Sequence, residues 1–290
     1  MEGLSTDFAD RAHPGEMGIS IAATLQNGGH TVFWASEGRG PQTRARAEQY
    51  ALHDALTLAH LCERCSVIVS VCPPHAAETV AADVLSHHFD GIYLDANAIS
   101  PQRARRMAHA FAAAGATFVD SGIIGGPAWS PHSTWLYLSG AAAEDAAGCF
   151  AAGPLEVVVL GESAGQASAL KMCYAAYTKG TTALLAASLA AAEALGVRPA
   201  LEGQWSREGS DLAEGAAQRV RRVTRKAWRF AGEMDEIADT LGEAGAPEGF
   251  HRAAGDVYRR MTDFKDRPEL PPLEDVLAAL LIEDLTGGRP

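Results

Sequence analysis

Basic residues are in short supply: 24 Lys and Arg stand against 36 Asp and Glu, a formal net charge of −12. A nucleic-acid backbone or an anionic membrane surface is on average repelled by such a chain, which argues against both as partners. Cysteines are few and odd in number, 5 in 290 residues, which suits reduced thiols better than a disulfide framework. Cys62 and Cys65 form a C-x-x-C, but no second pair or paired histidine follows at ligand spacing, so no metal is expected. No run is apolar enough for long enough to span a bilayer, because even the Ala-rich stretch 165–197 is interrupted by Lys171, Lys179 and Glu193. The opening MEGLSTDFADRAHP lacks an apolar core of the secretory kind, and the cytoplasm is the expected location.

The chain does have apolar material for a core, at 47% hydrophobic residues, enough for one large domain or two moderate ones. Its organising stretch is Gly165 to Val197, free of proline and rich in good helix formers. It predicts one helix of about thirty residues, roughly 45 Å long. Apolar positions recur on more than one side of that helix, so it should be packed against several neighbours. Lys171 falls in its second turn among Leu170, Met172 and Ala175. A lysine in such surroundings has a structural partner or a chemical task.

Upstream, His13-Pro14-Gly15-Glu16-Met17-Gly18 precedes a helix to Gln26, a glycine turn and a strand Thr31 to Ala35. Gly15 and Gly18 stand where the last two glycines of G-x-G-x-x-G would be, and His13 takes the first position. Glycine turn, helix and strand in that order form the setting in which a helix N-terminus holds a pyrophosphate. The residues before the turn are mostly polar, unlike the apolar strand that usually opens such a domain. After the second strand come Ser36, Glu37, Arg39, Thr43 and Arg44. Two hydroxyls and a guanidinium suit the 2′-phosphate of NADP(H), whereas Glu37 is the residue that would suit NAD(H).

Strands follow at 66–71, 91–95, 116–120, 134–139 and 155–160, with helices near 75–86, 101–114 and 141–151. This alternation predicts an α/β domain with a mainly parallel sheet covered on both faces. Ligands of such sheets sit beyond the carboxyl ends of the strands. The segments falling there are Cys72-Pro73, Asn97 and the run Ser121-Gly122-Ile123-Ile124-Gly125, whose glycines are expected to form a loop with converging N–H groups. From about residue 208 only helices are expected, at 212–243, 248–264 and 272–285. The division is therefore a dinucleotide-binding Rossmann-type domain over 1–163 and an all-helical domain over 164–290, beginning with the long helix.

Glycine turn, DSGIIGG and a lysine in the second turn of a long helix resemble the β-hydroxyacid dehydrogenase superfamily, which includes 3-hydroxyisobutyrate and 6-phosphogluconate dehydrogenases. HPGEMG, SALKMCYAAYTKGTTALL and WRFAGEMDEIA look like a phosphogluconate dehydrogenase-like branch with its own C-terminal domain type. The resemblance covers essentially the whole chain. It implies Lys171 as catalytic acid/base and a homodimer joined through the helical part; beside it, residues 13–17 with Ser36, Arg39, Thr43, Cys72, Pro73 and Asn97 are read toward the cofactor, NADP(H) being favoured over NAD(H), residues 121–125 toward the substrate, and Tyr174 as an assisting hydroxyl. The chain departs from the family where Tyr174 and Ala175 replace paired asparagines, Ile124 replaces a carboxylate-binding serine, and Gly232 and Glu233 stand where lysine and aspartate belong. The joint absence of these polar groups implies a substrate other than the usual short β-hydroxyacid. Imine reduction on the same fold and a non-catalytic ligand-binding descendant are the competing readings.

Overall fold

The computed structural model describes residues 3–7, 16–207, 212–265 and 267–281. They divide into two units, Met1–Met172 and Cys173–Pro290, with the boundary inside the long helix.

The first unit is built on an eight-stranded sheet in the order β3-β2-β1-β4-β5-β6-β7-β8. Its strands are β1 (Gly3–Asp7), β2 (Thr31–Trp34), β3 (His53–Asp54), β4 (Cys65–Ser70), β5 (Ile92–Asp95), β6 (Thr117–Gly125), β7 (Thr134–Ser139) and β8 (Glu156–Gly161). All neighbours pair in parallel except β6 with β7, so β7 and β8 run against the rest. The polar segment before the glycine turn does form a strand. β1 lies inside the sheet, Ser5 opposite both Phe33 and Ile68. A ladder is made of main-chain groups, and apolar strands on either side can hold a polar one in register.

Alternation along the strands feeds two separate cores. Val67, Val69, Leu94 and Val119 point to one face with Ile21 and Leu25 of helix α1 (Glu16–Asn27). Ile68, Tyr93 and Phe118 point to the other, where the Tyr93 ring stacks at 4.6 Å on Phe111. Neighbouring residues facing opposite ways is the period of a strand buried on both sides. The covering helices in chain order are α2 (Pro41–Gln49), α3 (Leu58–Arg64), α4 (Ala77–Ser86), α5 (Pro101–Ala113) and α6 (Ala143–Gly148). Helix α2 is not anticipated by the sequence pattern. Only Thr43 and Ala47 of α2 are buried, so its sequence carries almost no apolar stripe to read.

Helix α7 (Gln166–Ala194) has 29 residues, or roughly 43 Å at the standard rise. The second unit adds α8 (Arg198–Arg207), α9 (Leu212–Val223), α10 (Ala227–Glu243), α11 (Gly249–Arg260) and α12 (Leu273–Leu280). The expected single helix over 212–243 is two, parted by a 3-10 turn at Thr224–Lys226. There the Thr224 hydroxyl donates to Arg221 O at 2.7 Å, a side-chain bond to the backbone that bends a helix. α10 and α11 lie together, and Lys179 of α7 pairs with Glu233, which Arg229 also engages. No described helix is long and apolar enough to cross a membrane.

Candidate functional site

The strand order turns back between β1 and β4, and in an open parallel sheet that is where a crevice forms at the carboxyl ends. α1 begins there with exposed Glu16 and half-buried Met17; His13, Pro14 and Gly15 lie outside the described residues. At the end of β2, Arg39 Nε donates to Ala35 O at 3.3 Å, and Arg44 Nη2 donates to Ser36 O at 2.7 Å. Both guanidiniums are thus folded over the carbonyls that close the strand. Ser36 and Thr43 are 3% and 1% exposed. Both thus lie below the loop surface at the end of β2, Thr43 on the buried side of α2. Arg39 and exposed Glu37 remain at that surface.

At the ends of β4 and β5 the hub is Asn97, which is 1% exposed. Its Oδ1 accepts the Cys72 N–H at 2.5 Å, and its Nδ2 donates to Asp95 Oδ2 at 2.7 Å and Ser70 Oγ at 3.1 Å. The turn Cys72-Pro73 is therefore held open by a side chain from the neighbouring strand. Asn97 acts here through the backbone it fixes.

Two carboxylates, neither singled out from the sequence, close this end of the sheet. Asp95, at the end of β5, and Asp120, midway along β6, face each other in register, and both are fully buried. Burial pushes the Asp95 carboxyl up to about 7, with the Asp120 charge adding to the rise. Hydrogen bonds from Asn97 and the charge of Lys171 oppose it. Asp120 is the anchor of α7. Its Oδ2 accepts Gly165 N at 2.9 Å, Ser168 N at 3.0 Å and Ser139 Oγ at 2.9 Å, and its Oδ1 accepts Ser168 Oγ at 2.5 Å. Ser139 Oγ in turn accepts Ala167 N at 3.0 Å. Three of the N–H groups a helix start leaves over are thus met by β6 and β7. A negative charge at that end of the helix is favourable in itself.

The run 120–126 is a correction to the loop expected there. β6 continues through it to Gly125, paired residue by residue with β7 from Ser121↔Leu138 to Gly125↔Thr134. Its N–H groups do not converge in a glycine turn; they extend a ladder. Side chains then alternate: Ser121 donates to Asp95 O at 2.8 Å and Ile123 belongs to the core. Gly122 faces α7, where a Cβ would lie 2.8 Å from Ala167 O and 3.0 Å from the Cβ of Lys171. The missing side chain lets the helix settle on the strand. Ile124 is half-buried and Gly125 exposed.

Lys171, half-buried, follows one turn after the Asp120 anchor, and its charge is felt by Asp95. Tyr174, further along the same helix, is 52% exposed. Ammonium, buried acids and an anchored helix start together can hold and move a proton at the edge of a parallel sheet. The two aspartates could have been suspected from the sequence, since IYLD and TFVD each carry an apolar run to the same residue. Among the described residues no group of His, Cys, Asp and Glu could hold a metal ion.

Residues 14–150 match the family described as the NAD binding domain of 6-phosphogluconate dehydrogenase, and residues 192–261 match a domain of unknown function, DUF1932. No curated protein matches the sequence. Among solved structures, the chain is 28% identical to a conserved protein of unknown function described as structurally similar to 3-hydroxyacid dehydrogenases, covering 90% of this chain and 97% of that one at a TM-score of 0.63. It is 18% identical to the 3-hydroxyisobutyrate dehydrogenase of Mycobacterium tuberculosis, over 97% and 99% of the two chains at 0.68. The reductive aminase of Aspergillus terreus, solved with NADPH and ethyl levulinate, is 18% identical over 96% and 99% at 0.53.

Proposed function

From the membership of this chain in the β-hydroxyacid dehydrogenase superfamily, and hence among the dehydrogenases and reductases, we propose that it interconverts a hydroxyl and a carbonyl with NADP(H), Lys171 being the acid/base. The observation that carries the reading is Lys171 itself, one turn beyond a helix start fixed to β6 by Asp120 and by the bare Gly122. A bound nicotinamide supplies or accepts the hydride. The chain's own part is the proton: Lys171 Nζ gives it to the substrate oxygen on reduction and takes it back on oxidation.

The dinucleotide fits the described residues at two points. The Cys72-Pro73 backbone, held by Asn97 at the switch point, offers a wall for its nicotinamide half. Arg39, beyond β2, offers a cation for the 2′-phosphate, while Ser36 and Thr43 contribute through packing. Half-buried Ile124 and exposed Tyr174 favour a carbonyl compound larger or less polar than a short β-hydroxyacid. Tyr174 is proposed as a hydroxyl that orients substrate. Imine reduction is the second reading, supported by the full-length likeness to a reductive aminase. The retained Lys171 favours C=O over C=N. A homodimer is supported by the side of α7 that bears Tyr177 and Leu184, both large and exposed, and the cytoplasm remains the proposed location.

The test is a screen of ketones, alcohols and cyclic imines with NADPH, followed by Lys171→Ala on whichever substrate turns over. The expected result is a fall in kcat of about 10² or more, the scale of general acid–base catalysis, with NADPH binding unchanged. Turnover near the parent rate refutes the assignment of Lys171. Amine formation as the main activity moves the reaction to imine reduction.

A further inference from the structure

The second unit bears an open groove of about 430 Å³ lined by Thr182, Gly215, Gln218, Arg219, Arg222, Val223 and Lys226, with the three cations exposed. Among the described residues three cations and no carboxylate line it, on a chain whose formal charge is −12. Arg219, Arg222 and Lys226 lie at i, i+3 and i+7 along α9 and the turn after it, a spacing that brings them to one side.

Arg219 is fixed in advance. Its Nε donates to Thr182 Oγ1 at 2.8 Å, and its Nη2 donates to Thr181 Oγ1 at 2.7 Å and Thr178 O at 3.1 Å. Nη1 makes no hydrogen bond among the described residues. The other cations nearby have partners: Arg198, Arg229, Arg252 and Arg259 pair with carboxylates. Arg221 and Arg225 donate to the carbonyls of Pro271 and Pro268. Arg222 and Lys226 have neither kind of partner among the described residues, and both face this groove. Like charges gathered in a concave surface repel one another until an anion joins them.

We infer that this groove binds a phosphorylated small molecule through its phosphate group. The planar guanidiniums of Arg219 and Arg222 match a tetrahedral oxyanion, Lys226 adds a point charge, and Gln218 stands ready for a neighbouring hydroxyl. The lining residues all belong to the second unit, and the proposal does not rest on the proposed reaction.

Binding of inorganic phosphate, glucose 6-phosphate and citrate is measured by calorimetry at low salt, for the parent protein, the double variant R222A/K226A and the control R207A. Arg207 lies in α8 beside Gln204, so its loss changes charge without touching the groove. The expected result is that glucose 6-phosphate binds more tightly than inorganic phosphate, that the double variant weakens both about tenfold or more, and that R207A changes neither more than twofold. The double variant keeps the parent's helical content by circular dichroism and unfolds in a transition as cooperative as the parent's, showing that it is folded. Phosphate affinity within twofold of the parent in R222A/K226A overturns the proposal. So does binding of citrate without phosphate, or loss of a dimer in sedimentation by the double variant, which makes these cations a subunit contact.

Discussion

Removing the Asp120 carboxylate tests the link between the sheet and the long helix directly. Asp120→Ala leaves the Gly165 and Ser168 N–H groups buried without an acceptor and deprives the hydroxyls of Ser139 and Ser168 of theirs. Each buried donor left unmet costs about 1 to 3 kcal/mol, and the lost charge at the helix start adds about 0.5 kcal/mol or more. Hydroxyls can rotate toward other acceptors, so the two backbone groups dominate and the total is about 3 to 5 kcal/mol. Asp120→Asn keeps one acceptor oxygen, to which the three donors now at Oδ2 can still turn, and the Ser168 hydroxyl can accept from the new amide. It should cost about 1 to 2 kcal/mol. For a domain of this size 1 kcal/mol moves Tm by about 2 to 4 °C, so calorimetry should show a fall of roughly 10 °C for the alanine variant and a few degrees for the asparagine variant. A Tm for Asp120→Ala within about 2 °C of the parent, or equal losses for the two substitutions, refutes the account of Asp120 as the acceptor that fixes α7.

Three further outcomes follow from the same residues. Gly122→Ala places a methyl 2.8 Å from Ala167 O; overpacking of that kind costs about 1 to 3 kcal/mol, and activity should fall more than stability because Lys171 is displaced with the helix, checked by comparing kcat with Tm. Asp95, raised from 3.8 to about 7 by burial, keeps its proton in the folded chain across the window where the unfolded chain has lost it. Its contribution to stability is therefore whole below pH 3.8 and is lost as pH rises toward 7. The advantage of Asp95→Asn over the parent in thermal unfolding should accordingly grow across that window and level off above it; an advantage that shrinks as pH rises reverses the sign and refutes it. Arg39→Ala should weaken NADPH about tenfold and leave NADH within twofold, measured by fluorescence titration, and equal effects on both cofactors remove Arg39 from the 2′-phosphate.

The sheet was legible wherever a strand is apolar on both faces, as in SVIVS or IYLD, because such runs have few other uses. Helix α7 was legible from its length and the absence of breakers. β1 was not, because GLSTD has no apolar pattern of its own and owes its place to the strands on either side. The extension of β6 through DSGIIGG went unread for a similar reason: glycines signal turns, and only the partner β7 makes a strand of them. Lys171 was found because a lysine among helical apolar residues is conspicuous. Asp95 and Asp120 were not, since each follows its own apolar run unremarkably. They become a pair through the β5–β6 register, which joins residues 25 apart in the chain.

The turn-about of β7 leaves the sheet with unequal rims. At one side the last strand, β3, is two residues long and offers almost nothing to pair with. At the other, β8 presents six residues, with Val158 and Leu160 both exposed. An open ladder carrying apolar side chains is a template for a strand from another molecule, so crowding or partial unfolding should join chains along β8. A lysine at position 158 should keep them apart without touching the chemistry.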